Sequence, residues 1–172
     1  MKGQNYMHFE NLNQLLDALI YHWTCCGQYD AERNEVYTNA AKKFILDNRC
    51  SRERLTDVVY YASESRAIAI ELIEFIVDTY GLEVIPQHVE YYESYKDKMD
   101  HIAAGFGGHL FYAASIERDT EKNQRYMRLL RYLKSKGFHG DLTVSFRGDG
   151  RRSGKCIDYA ADWAQIDIAS AS

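Results

Sequence analysis

The sequence predicts an α+β protein, a mainly helical amino-terminal half followed by a small β-α-β-β unit with an antiparallel or mixed sheet. Three observations predict it. Apolar residues recur at helical spacing from Leu12 to Tyr80, the pattern breaks at Gly105-Phe106-Gly107-Gly108, and short apolar or alternating segments of strand length follow. The chain has 172 residues, 46% hydrophobic and 27% charged, a balance that supports a real core and disfavours extended disorder.

Leu12, Leu15, Leu16, Leu19, Ile20 and Trp23 mark a first helix within 9–25, stopped by Gly27. Asp30 is a side-chain cap for a second helix through Val36, Ala40, Phe44 and Ile45 to Asn48, and Ser51 caps a third through Leu55, Val58 and Val59. From Arg66 to Tyr80, Ile68, Leu72, Ile73, Ile76 and Tyr80 fall on a wide apolar arc that Ile70 and Val77 extend, which predicts a central buried helix ending at Gly81. The apolar stretch Ala67 to Val77 is interrupted by Glu71 and Glu74 and is too short to span a membrane. Pro86, the single proline, suits the first turn of a further helix through Val89, Tyr92, Lys96 and Met99. His109 to Ile116 reads as a strand, Asp119 to Lys136 as a helix closed by Gly137, Asp141 to Phe146 as a strand, and the stretch from Ile157 to Ile168 as another. The expected partition is a helical region over 1–104 and a β-α-β-β region over 105–172, with separate cores or one shared core.

Net charge is −4, but its distribution is uneven. Asp57 to Asp100 holds ten acids against three bases, a net of −7, whereas Glu117 to Lys155 holds eleven bases against five acids, a net of +6. On the central helix Glu71, Glu74 and Asp78 form an acidic stripe at i, i+3 and i+7. Fourteen tyrosines, about 8% of the chain, include Tyr60-Tyr61 and Tyr91-Tyr92-Glu93-Ser94-Tyr95, and tyrosine suits interfaces because its ring buries area while its hydroxyl finds a partner. Glu71, Glu74, Asp78, Glu90, Tyr91, Tyr92, Glu93 and Tyr95 are therefore expected to dock a protein partner with a basic surface. A solvated or core-packing role is the simpler alternative for several of them.

The basic segment offers a second reading. Arg125, Arg128 and Arg131 form a ladder at i, i+3 and i+6, and the loop that carries Arg147, Arg151, Arg152 and Lys155 is rich in glycine, so the two could bind nucleic acid or phosphate. The loop fails the P-loop pattern, because Cys156 follows Gly154-Lys155 and the first glycine is misplaced. His109 and His139 suggest a third reading, a small hydrolase or transferase, although neither starts the His-x-Thr or His-x-Ser pattern of a two-histidine phosphoesterase. There is no Gly-x-Ser-x-Gly elbow and no His-Glu-x-x-His helix.

Cys25, Cys26, Cys50 and Cys156 are too sparse for a disulfide framework. His22 with Cys25 or Cys26 and Cys50 makes a poor zinc set without a CxxC pair, so neither metal nor cofactor is expected. Met1 to Glu10 has no apolar signal core, which leads to the expectation of a cytoplasmic protein without membrane contact. The leading expectation is a non-enzymatic regulatory protein, an inhibitor of a nucleic-acid-handling complex of phage or mobile-element type. A homodimer is a further use of the exposed tyrosines.

Overall fold

A computed structural model describes residues 7–66 and 68–167. Among the described residues, seven α-helices and a four-stranded antiparallel sheet form an α+β architecture with a helical amino-terminal half. The chain divides into two compact units, Met1–Ile85 and Pro86–Ser172. No helix among the described residues is long and apolar enough to cross a membrane.

In the first unit, α1 (Leu12–Asp17) starts where the Asn11 side chain accepts the Gln14 N–H, and it continues into a π-helical segment, Ala18–His22. The Asp30 and Ser51 side chains cap α2 (Ala31–Asn48) and α3 (Arg52–Glu64) at the positions expected from sequence. Helix α4 (Ile70–Tyr80) buries Ile70, Leu72, Ile73, Ile76 and Val77 and stops at Gly81, whose φ of +91° a side chain would resist. Each of these apolar side chains contributes about 1.5–3 kcal/mol on full burial. The helix starts later than Arg66 because Ile68 takes a left-handed φ of +51°, which no helical residue adopts. Ala67, the start of the expected apolar stretch, lies outside the described residues. A buried polar chain joins the helices: Trp23 Nε1 donates to Asn34 Oδ1 at 2.9 Å, and Asn34 Nδ2 donates to Glu71 Oε1 at 3.1 Å.

The second unit departs from the expected order of elements. The segment after Pro86 is a β-hairpin and not a helix: β1 (His88–Tyr95) pairs with β2 (Lys98–Gly105) through eight consecutive residues. The Lys96-Asp97 turn has two positive φ values, 51° and 65°, which match the right-handed twist of the flanking strands. The segment expected as a strand from His109 is helical, as part of α5 (Phe106–Ile116). A helix apolar on nearly every side has no periodicity to separate it from a buried strand. Glycines at and before its start serve close approach: a Cβ on Gly108 would lie 2.5 Å from the Thr143 carbonyl oxygen, and one on Gly105, the last residue of β2, would lie 2.2 Å from Asp141 Cβ.

Helix α6 (Thr120–Ser135) follows, capped by Asp119, then β3 (Thr143–Gly148), β4 (Cys156–Asp158) and α7 (Ala160–Ala164). The expected strand toward Ile168 is therefore reduced to β4, and Ile168 itself lies outside the described residues. The strand order is β1-β2-β3-β4, and the chain order ββααββα replaces β-α-β-β. Because β1 and β2 belong to this sheet, the contact boundary falls at Ile85–Pro86 instead of 104/105. Ile102, Ala104, Val144 and Phe146 cover one face of the sheet and pack with Tyr112 of α5, against which Tyr91, Ile157 and Tyr159 also lie.

Candidate interaction surface

The acidic hairpin and the basic loop meet each other. Glu93 and Asp100 are direct cross-strand partners of β1 and β2, two carboxylates side by side at the end of the covered face. Such a pair repels unless cations or donors reach it, and the loop 149–155 supplies both. Asp100, only 3% exposed, accepts the Arg152 backbone N–H at 3.1 Å and the Ser153 hydroxyl at 2.9 Å. Gly150 crosses so close that a Cβ there would lie 2.5 Å from the Asp100 carboxyl carbon. Glu93 accepts the Arg152 guanidinium at 3.2 Å and the Tyr112 hydroxyl at 3.1 Å. Burial, reinforced by the Glu93 charge and hydrogen bond, pushes the Tyr112 phenol up to about 12.

The glycine-rich loop is thus an anion cradle, as its composition suggests, and the anion it holds is Asp100 of the same chain. Arg151 lies over the Tyr95 ring at 4.3 Å, and Arg152 lies over the Tyr112 ring at 5.5 Å. Of the bases expected to attract phosphate, Arg151 and Arg152 are engaged within the unit, while Arg147 and Lys155 are exposed. On α6, Arg128 is exposed and Arg125 and Arg131 are half-buried. Arg131 borders a cavity of about 490 Å³ with Asn123, Met127 and the stacked rings of Phe111 and Tyr159, which are 5.2 Å apart. Lys134 is spent on structure, donating to the carbonyls of Trp163 and Ile166 at 2.7 and 3.0 Å.

The other face of the sheet is open. Strand alternation places His88, Glu90, Tyr92 and Ser94 of β1, Met99 and His101 of β2, and Arg147 of β3 on this face. Tyr92 is 66% exposed and stacks on His101 with ring centroids 4.9 Å apart. Glu90 Oε1 lies 2.9 Å from His101 Nε2, and its other oxygen lies 3.6 Å from His88 Nε2. Met99 is 46% exposed, and Arg147 stands directly across from His101 in the β2–β3 register. Two large apolar side chains are therefore held at the surface by a rigid element, ringed by one acid, one base and two histidines.

The expected acidic set is divided by this arrangement. Glu71, Glu74 and Asp78 belong to the first unit, where Glu71 accepts from Asn34. Glu90, Tyr91, Tyr92, Glu93 and Tyr95 belong to the second unit, on a strand and not on a helix. Tyr91 turns inward against His109, with ring centroids 5.4 Å apart, and Glu93 pairs with Arg152, which leaves Glu90 and Tyr92 on the open face. His88, Met99 and His101 are absent from the expected set. Their signal is the register of the hairpin, which is invisible when the segment is read as a helix. His109 is buried in α5 against Tyr91 and Phe106, and His139 is exposed after α6, so the pairing on two strands that suggested a phosphoesterase is absent.

Cys25, Cys26 and Cys156 are exposed and Cys50 is half-buried; burial pushes the Cys50 thiol upward. Among the described residues no three histidine, cysteine or carboxylate side chains converge as metal ligands. Comparison with protein-family models, with curated proteins and with solved structures finds no match.

Proposed function

We propose that this is a non-enzymatic interaction protein whose open sheet face docks a protein partner. The observation that carries the reading is the pair Tyr92 and Met99, more than two-fifths exposed on a regular sheet and framed by Glu90, His101 and Arg147. Tyrosine, methionine and arginine are the residues enriched where proteins meet, and exposed apolar groups on a rigid surface mark interaction sites. The face is nearly balanced in charge. It therefore suits a partner that sets an apolar side chain against Tyr92 and Met99, an acid against Arg147 and a base against Glu90. A nucleic-acid groove calls for more cations than Arg147 alone supplies. The basic partner surface expected from the overall acidity is narrowed to a base opposite Glu90. Blocking a nucleic-acid-handling complex by covering one of its surfaces is the most specific form of the reading.

The test is affinity capture from native-host lysate with and without nuclease, using wild type, Arg147→Glu and the triple change of Arg125, Arg128 and Arg131 to glutamine. A protein retained after nuclease treatment, lost with Arg147→Glu and kept with the triple variant supports the docking face. Nucleic acid retained by wild type and lost with the triple variant overturns it in favour of direct nucleic-acid binding through the basic helix.

A further inference from the structure

We infer that a second copy of this chain pairs with the outer edge of β1, joining two sheets into one of eight strands around a two-fold axis. Met99 turns its N–H to the Asp149 carboxylate and its carbonyl to the Asp149 N–H, both on the β3 side. Alternation in an antiparallel ladder then turns Lys98, Asp100, Ile102 and Ala104 toward β1, where they engage Tyr95, Glu93, Tyr91 and Val89. The intervening residues His88, Glu90, Tyr92 and Ser94 point their N–H and C=O groups outward, away from the sheet.

This edge lacks two of the usual protections, a bulge and an internal proline, although it carries Glu90 and Glu93. It runs for eight residues without a bulge or an internal proline, whereas β4 at the opposite edge has three residues. Such an edge is a template for another strand. A two-fold axis perpendicular to the sheet keeps each side chain on its own face, so β1 can pair with itself only where opposed residues share parity. Two registers satisfy this near the strand centre. One sets Tyr91 against Tyr91 and Glu90 against Tyr92; the other sets Tyr92 against Tyr92 and Glu90 against Ser94. Neither sets Glu90 against Glu90 or Glu93 against Glu93, the like-charge oppositions that destabilise a ladder. Glu93 is paired with Arg152 of its own chain, and Glu90 lies within hydrogen-bond distance of His101.

Sedimentation equilibrium of the full chain, from low micromolar to near-millimolar concentration, tests the contact. The expected mass rises from 20.0 kDa to about 40 kDa, the value for a two-fold dimer. Tyr92→Pro removes an outward N–H while sparing the β1–β2 ladder, and it is expected to remain at the monomer mass throughout. A wild-type chain that stays monomeric, or a dimer unmoved by Tyr92→Pro, overturns the inference. Should the variant fail to fold, amide exchange in wild type decides: the Glu90, Tyr92 and Ser94 amides must slow as the dimer forms, and fast exchange at dimer concentration refutes the pairing. This contact uses backbone groups of the edge and the docking face uses side chains. Failure to dimerise therefore leaves the Arg147→Glu capture result as an independent test of docking.

Discussion

Replacing Asp100 with asparagine is the perturbation that reads most directly on how the charged segments are joined. Asp100 holds the loop through the Arg152 N–H at 3.1 Å and the Ser153 hydroxyl at 2.9 Å. A hydrogen bond to a charged group contributes about 1.5–3 kcal/mol and a neutral one about 0.5–1.5 kcal/mol. Asparagine keeps the shape, has one acceptor oxygen, and turns an amide donor toward donors, so each bond falls to the neutral value or below. Relief of the repulsion with neighbouring Glu93 offsets part of the loss. The net expectation is about 2 kcal/mol, which speeds exchange of the Arg152 amide by about 30-fold if the loop opens as a unit. Amide exchange by NMR, with urea unfolding in parallel, measures both. Asp97→Asn, in the exposed hairpin turn, is the control and leaves both unchanged. An Asp100→Asn protein with wild-type Arg152 exchange and wild-type stability refutes the claim that the loop is an anion cradle filled from within.

Three further outcomes are expected. Gly108→Ala, which would gain about 1 kcal/mol at an ordinary helix position, is expected to cost about 2–3 kcal/mol because its Cβ meets the Thr143 carbonyl; urea unfolding reads the sign. Asn34→Leu removes the acceptor of Trp23 and a donor to Glu71 and is expected to cost the first unit about 2–4 kcal/mol, read as a lower thermal midpoint. Tyr112 has a folded pKa of about 12 against an ordinary value near 10, so its neutral form is favoured by folding. Its contribution is complete below pH 10 and is lost as pH rises from about 10 to 12, an upper bound of about 2–3 kcal/mol. Urea midpoints of wild type and Tyr112→Phe at pH 8, 10 and 11.5 are therefore expected to converge as the pH rises.

The amino-terminal half is legible because its apolar residues recur at helical spacing and α2 and α3 begin at side-chain caps. Its core is apolar apart from the buried Asn34, Thr38, Ser63 and Ser65, and Asp30 and Ser51 cap where short polar side chains should. The second unit is legible in class but not in order. Val89, Tyr92, Lys96 and Met99 match a helical repeat, yet Val89, Tyr91 and Glu93 alternate equally well. The deciding turn is Lys96-Asp97, which lacks the glycine that usually announces a two-residue hairpin. Helix α5 reads as a strand because burial on all sides erases period. These two misreadings also hide the site. With 88–105 read as a helix followed by a break, nothing relates Tyr92 to His101 and Arg147, and nothing brings Arg152 to Glu93. The opposite charges of the two segments are visible in the sequence, but their mutual neutralisation requires the β2–β3 pairing that carries the loop back across Asp100.

The docking face is tested most directly by site-specific photocrosslinking in native-host lysate, with a benzophenone amino acid at Met99 or Ser94 on the open face, or at Leu46 on α2 as an exposed control. Docking through this face predicts one protein adduct common to positions 94 and 99, resistant to nuclease, absent at position 46, and lost when Arg147→Glu is added. Adducts that form equally at position 46, that survive Arg147→Glu, or that consist of nucleic acid would contradict it.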